Sequence, residues 1–352
     1  MQLYQADKVK KTLFEAAEKL KSDISFLNLA RLKISDYNRD ALNHFINNRS
    51  YYLSLYISLL DKALRKLNKP VSDSTFIDYG GGCGFLSILA KNSGFGNVIY
   101  NDINCQSVSD SEEIACALGT KIDFRIEGNI DRLLTWIHKN NHQYDLICSF
   151  DVIEHIYNIE EWISKIATLD GNFALFFMTS ANPCNPFISK RLKKLHLKSE
   201  NIGYEKNART PDGFLNTSFL QERKNILLAR FPEIGETDLS LIAKGTRGLI
   251  KERIELLAEI YFKTGEIKYF PDHPTNTCDP YTGSWTERLI DLNELKDFTR
   301  SVNLKIRCVN TYYSYNNNHL INLIKMFLNI LIFFSGKENL FFSPSVIVEI
   351  DK

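Results

Sequence analysis

The chain has 352 residues, 44% of them hydrophobic and 24% charged, with a formal net charge of +1. That length accommodates a large core with one or two appended pieces, and the composition is that of an ordinary soluble globular protein. The near-neutral charge removes any global electrostatic reason to expect a nucleic-acid partner.

Cys83, Cys105, Cys116, Cys148, Cys184, Cys278 and Cys308 are scattered, odd in number and never spaced as CxxC. They are expected to be free thiols in a reducing cytoplasm, not disulfides or a zinc knuckle. The opening MQLYQADKVKK has no apolar signal-peptide core, which again points to a cytoplasmic location.

The first seventy residues read as helical. SYYLSLYISLLDKALRKLNKP sets Tyr52, Leu55, Ile57, Leu59, Leu60 and Leu64 at helical spacing and stops at Pro70. Short apolar runs then alternate with helical patterns. TFIDY, NVIYND, KIDFRIEG, YDLICSF and NFALFFMTS are the predicted strands; FLSILAKNSG, SEEIACALG, IDRLLTWIHKN and IEEWISKIATL are the helices. Continuous apolar strands separated by helices predict a parallel sheet covered on both faces.

After Ser180 the rhythm breaks. Helical patterns at FLQERKNILLARF and GLIKERIELLAEIYF lead into the turn-rich YFPDHPTNTCDPYTGSW, so a helical insertion is expected. The sheet pattern resumes with the helix DLNELKDFTRS and the strands LKIRCVNTYY and SPSVIVEI. The expected division is a helical segment over 1–70, an α/β core over 71–183 and 284–352, and the insertion over 184–283.

FIDYGGGCGF, residues 76–85, places four glycines directly behind the first strand and ahead of a helix. Bare backbone there allows positive φ angles or close approach of a ligand. A phosphate loop would need GxxxxGK[ST], which is absent. A dinucleotide loop would need GxGxxG, but Phe85 or Ser87 stands at the third glycine position.

Gly80, Gly82 and Gly84, with Asp78 two residues upstream, instead resemble the GxGxG loop of the class I S-adenosylmethionine-dependent methyltransferases. Asp102 ends the second strand about twenty residues on, where a carboxylate can take ribose hydroxyls. Gly128 and Asn129 end the third. The fourth ends in SFDVIEHI, with Phe150, Asp151, Glu154 and His155. DVIEHI after YDLICSF, together with the exit TSANP, resembles small-molecule O-methyltransferases, including the ubiquinone-biosynthesis type. The resemblance covers residues 75–183 and 284–352.

It implies a Rossmann-like α/β fold with a seven-stranded, mostly parallel sheet and one antiparallel strand near its edge. It further implies S-adenosylmethionine as cofactor. Gly80, Gly81, Gly82 and Gly84 would hold the methionine end, supported by Asp78. Asp102 and Ile103 would hold the ribose side, Gly128 and Asn129 the adenine, and Phe150 and Asp151 would open beside the cofactor. Members of the group usually carry Asp where Asn129 stands, a departure that bears on adenine affinity more than on chemistry.

Methyl transfer from a sulfonium is an in-line displacement that depends mainly on alignment. A hydroxyl acceptor also gains from a base. His155, with Glu154 beside it, is the candidate catalytic group, and shaping of the cofactor pocket is the alternative role. Asp151, Glu154 and His155 form a D-x-x-E-H set expected on one helical face. Such a set can hold a divalent ion in some relatives, but the expected metal is none.

The insertion's exit brings His273, Asn276, Asp279, Tyr281, Trp285 and Arg288 together, and His273 or Arg288 is expected to touch the acceptor. The expected acceptor is a hydroxyl on a small molecule, glycan or lipid-linked compound. An RNA or protein methyltransferase, a non-catalytic cofactor-binding module and a nicotinamide enzyme are the rivals. KRLKKLHLK, residues 190–198, reads as a solvated basic face. LINLIKMFLNILIFF, residues 320–334, leaves three readings open, with burial or dimerisation favoured over peripheral membrane contact.

Overall fold

Helices open the chain: α1 (Gln2–Ser25), α2 (Asp36–Asn47) and α3 (Arg49–Leu64). The computed structural model describes residues 2–203, 209–210, 213–214, 217–267, 269, 273–315 and 318–352. Ser35 starts α2 by accepting the Asn38 amide proton on its hydroxyl at 3.2 Å, satisfying one of the orphan donors of a helix start. Leu53, Leu55, Leu59, Leu60, Ala63 and Leu64 of α3 are all buried. An apolar helix of this kind must lie in a core, and α3 packs on α1 and on the sheet.

The predicted strands form one seven-stranded sheet. In chain order they are β1 (Thr75–Tyr79), β2 (Asn97–Asp102), β3 (Phe124–Glu127), β4 (Leu146–Phe150), β5 (Ala174–Thr179), β6 (Lys305–Asn310) and β7 (Val346–Asp351). Their spatial order is β3-β2-β1-β4-β5-β7-β6. β7 runs antiparallel to both β5 and β6, and the remaining neighbours are parallel. The helices α4 (Phe85–Asn92), α5 (Cys105–Ala117), α6 (Ile130–Asn140) and α7 (Ile159–Ala167) connect the parallel strands. The strand order turns back between β1 and β4, so the carboxyl ends of these two strands flank the switch-point crevice where open α/β sheets bind ligands.

The chain forms two compact units: residues 1–153, 160–180 and 292–352 make the first, and 154–159 with 181–291 the second. The second unit contains α8 (Pro186–Asn201), α9 (Phe219–Arg230), α10 (Glu236–Gly245) and α11 (Lys251–Thr264). Ile226, Leu227, Leu239, Ile242, Ala243, Ile254 and Ala258 make a small core of its own. The basic residues of α8 are exposed, as expected for a solvated face, while Leu192, His196, Ser199 and Glu200 point inward. The Arg223 guanidinium, with no solvent exposure, is bonded to Glu200 and donates to the Ala243 carbonyl at 2.8 Å. Burial drives the His196 ring down to about 4. It stays neutral, accepting from the Thr277 amide on Nδ1.

Returning to the first unit, α12 (Leu292–Ser301) precedes β6, and α13 (His319–Ser335) lies between β6 and β7. Burial or dimerisation is the favoured expectation for residues 320–334, and the fold contradicts burial within the chain: Ile332 is the sole buried residue of α13. The physical reason is that its attached stripe is the polar one. None of the seven cysteines forms a disulfide, and Cys148, Cys278 and Cys308 are buried.

Candidate functional site

The glycine run occupies the turn from β1 to α4. Gly80, Gly82 and Gly84 have φ of 72°, 51° and 81°, a region L residues avoid. Gly81 is needed for a different reason: a Cβ there would lie 2.5 Å from the Tyr100 ring. The turn is fixed from β2, since the amides of Gly80 and Gly81 donate to the Asn101 carbonyl and the Tyr100 hydroxyl donates to the Gly82 carbonyl at 2.7 Å. At Gly82 a Cβ would meet nothing within 4 Å. The bare backbone at this point faces open space.

Two carboxylates serve the loop differently. Asp78 is 1% exposed, and its Oδ2 accepts the Ser87 amide at 3.0 Å and the Ser87 hydroxyl at 2.6 Å. It pins the first turn of α4 to β1 and is sealed from any ligand. Burial raises its pKa to about 7, against the two Ser87 hydrogen bonds and with a further push from Asp102. Asp102 accepts the Gly82 amide on Oδ2 and the Asn104 amide on Oδ1, both at 2.9 Å. Burial raises its pKa while these backbone donors oppose the rise. Ile103 next to it is 75% exposed, which is unusual for a residue at the mouth of a sheet and available to an apolar ring face.

At the end of β3, the Gly128 amide donates to the Asp102 carbonyl at 2.9 Å, and Asn101 Nδ2 donates to the Gly128 carbonyl at 2.9 Å. Asn129 is exposed, and its Oδ1 accepts the Arg132 amide at 3.2 Å as the cap of α6. Its Nδ2 donors and the second lone pair of Oδ1 are left to meet a ligand. Beyond β4, Phe150 meets Tyr52 and Tyr56 edge-on at 6.2 and 5.0 Å. Asp151 follows at φ 51°, its amide donating to the Met178 carbonyl and its Oδ1 accepting the Ser180 amide at 2.7 Å. A left-handed non-glycine costs on the order of 1–3 kcal/mol and concentrates at functional sites.

Several residues here escaped the sequence reading. Phe45 of α2 stacks on Phe85 at 3.8 Å, and the Cys83 thiol sits 3.8 Å from the Asn38 carbonyl. Burial pushes that thiol up to about 12. Asn38 is tied at 2.8 Å to Asp110 of α5, which also takes the Ser35 hydroxyl. Burial and then the Asp102 charge raise the pKa of Tyr37; for Tyr56 the causes are burial and then Asp78. The N-terminal helices thus belong to the surroundings of the glycine loop. The pair Tyr52 and Tyr56, one helical turn apart, was the one available signal.

Glu154 and His155 belong to the second unit. The expected common helical face for Asp151, Glu154 and His155 is not formed: Asp151 is left-handed and only Ile153–His155 makes a single 3-10 turn. Among the described residues, no group of three His, Cys, Asp or Glu side chains could hold a metal ion. Glu154 has no solvent exposure, and its backbone carbonyl accepts the Arg288 amide at 3.1 Å.

His155 Nδ1 lies 2.7 Å from the Trp285 carbonyl. A carbonyl only accepts, so Nδ1 carries a proton, and the tautomer this selects is the one with its lone pair on Nε2. The Trp285 and Arg288 amides donate back to the His155 and Glu154 carbonyls. Trp285 stacks on Tyr157 at 5.3 Å, donates its indole proton to the Tyr157 carbonyl, and carries the Arg288 guanidinium 4.3 Å above it. Trp285 also bridges to Cys278. On that Cys278 side, Asn276 is 4% exposed with neither amide atom hydrogen-bonded among the described residues. His273 Nδ1 accepts the Thr275 amide at 3.2 Å, and Tyr281 is 56% exposed.

Residues 47–219 match a family described as a methyltransferase domain. No curated protein matches the chain. Among solved structures, a Clostridium acetobutylicum ATCC 824 S-adenosylmethionine-dependent methyltransferase is 13% identical, with 88% of this chain and 97% of that one covered and a TM-score of 0.43. For an S-adenosylmethionine-dependent methyltransferase of Mesorhizobium loti the values are 11% identity, 83% and 96% coverage, and 0.37. A protein of Listeria monocytogenes provisionally named as such a methyltransferase is 16% identical over 34% of this chain and 52% of that one, at 0.25. The chain thus spans about half the length of that last structure.

Proposed function

We propose, from the match of residues 47–219 to a methyltransferase-domain family, that the protein binds S-adenosylmethionine and transfers its methyl group to a hydroxyl of a small-molecule, glycan or lipid-linked acceptor. The observation that carries the cofactor half is the Asp102 carboxylate, held by the Gly82 amide beside backbone that faces open space. Asp102 takes the ribose hydroxyls, and the loop 80–84 takes the methionine end. Ile103 covers one face of the adenine. Asn129, whose Oδ1 also caps α6, donates from Nδ2 to an adenine ring nitrogen, which fits an amide in place of the usual acid. Asp78 holds the loop without touching the cofactor.

His155 supports the hydroxyl assignment. Its tautomer is set by the Trp285 carbonyl, leaving Nε2 as the basic atom for an acceptor hydroxyl. Glu154, buried and next in sequence, is a positioning residue. Asn276 indicates a polar acceptor: a buried amide without partners costs on the order of 1–3 kcal/mol, and an acceptor hydroxyl or carbonyl would relieve that cost. His155→Ala should lower kcat about 10²–10⁴-fold with cofactor affinity unchanged. The test is S-adenosylhomocysteine release across a panel of hydroxyl, amine and carbon acceptors. Turnover confined to carbon or amine acceptors, or indifferent to His155, contradicts this reading.

A further inference from the structure

Helix α13 inverts the usual amphipathic arrangement. Its protein-facing stripe carries Asn322, Lys325, Asn329 and Ile332. Asn329 exchanges two hydrogen bonds with the Tyr313 backbone, at 2.7 and 2.9 Å, and Lys325 donates to the Ser314 carbonyl at 2.7 Å. The polar groups are consumed in fastening the helix to its own loop. Outward stand Leu320, Leu323, Ile324, Phe327, Phe333 and Phe334, each between 58% and 80% exposed.

At 100° per residue these side chains and their neighbours occupy more than half of the helix circumference. A partner helix or a second copy covers a stripe roughly 100° wide and would leave much of this surface wet. A fluid apolar phase covers all of it. The helix has 17 residues, about 25 Å, and among the described residues no helix is long and apolar enough to cross a membrane. It therefore suits the plane of an interface. Tyr312 and Tyr315, 46% and 55% exposed on the loop that α13 fastens, have the amphipathic rings that favour headgroup depth. We infer that α13 inserts its outward face into the acyl boundary of a bilayer and anchors the protein peripherally. The inference does not depend on the proposed activity.

Lys325 is turned inward, so insertion is hydrophobic and needs no anionic lipid. The full chain should float with phosphatidylcholine vesicles as well as with vesicles containing phosphatidylserine, and high salt should leave binding unchanged. Replacing Leu323, Ile324 and Phe327 together by glutamate should lower partitioning at least about tenfold. Phe327→Trp should be quenched by brominated acyl chains, a readout that stands if the triple variant fails to fold. Absence of flotation, binding that requires phosphatidylserine or is lost in salt, or a solution dimer dissociated by the glutamates would each overturn the inference.

Discussion

Asp78 shows how a single carboxylate can shape the protein without touching a ligand. Its folded pKa of about 7 lies above the ordinary 3.8 because it is buried, so the folded state holds a proton that the unfolded chain has released. Stability from this group is complete below about pH 4 and is lost as pH rises to about 7. Asp78→Asn should remove that slope. In urea unfolding, the wild type should lose a few kcal/mol more than the variant between pH 5 and pH 8; parallel losses would show that Asp78 is ionised throughout. The acids at 78 and 102 were readable because a carboxylate at a strand end, at fixed distance from a glycine turn, is a pattern along the chain. Tyr37 and Asn38 were not, because their nearness to the loop exists only once α2 has packed. Asn129 was read as a ligand donor alone, whereas half of its amide serves the helix that follows.

Among the elements, the strands were the most legible, since buried parallel strands leave continuous apolar runs that few other structures need. The turn after β4 was less so. The i, i+3, i+4 spacing of Asp151, Glu154 and His155 suggested a helix, but the left-handed Asp151 breaks it at the first residue. In α13 hydrophobicity suggested burial, whereas the polar stripe is the attached one. The return 275–288 gives an element-scale prediction. Its pairing through Cys278 and Trp285 accompanies a buried Asn276 whose amide atoms have no hydrogen bond among the described residues, a cost that the proposed acceptor contact would offset. Asn276→Leu should therefore stabilise the protein by about 1 kcal/mol in thermal unfolding and raise the acceptor KM several-fold. A destabilised variant with unchanged KM would make Asn276 a structural residue.

At the scale of the whole molecule, one unit presents the glycine loop and Asp102, and the other carries His155 and the insertion. The seven-stranded sheet with one antiparallel strand near its edge followed from the resemblance, whereas the insertion was legible only as helices with a turn-rich exit expected beside the acceptor. The central claim is that the backbone from Gly80 to Gly84, with Asp102, binds the adenosyl cofactor. Titration calorimetry of the purified full chain with S-adenosylhomocysteine tests it most directly. Saturable one-site binding, weakened about 10–100-fold by Asp102→Ala through loss of charge-assisted hydrogen bonds, is the expected result. No heat with either S-adenosylhomocysteine or S-adenosylmethionine, or binding that Asp102→Ala leaves intact, would contradict it.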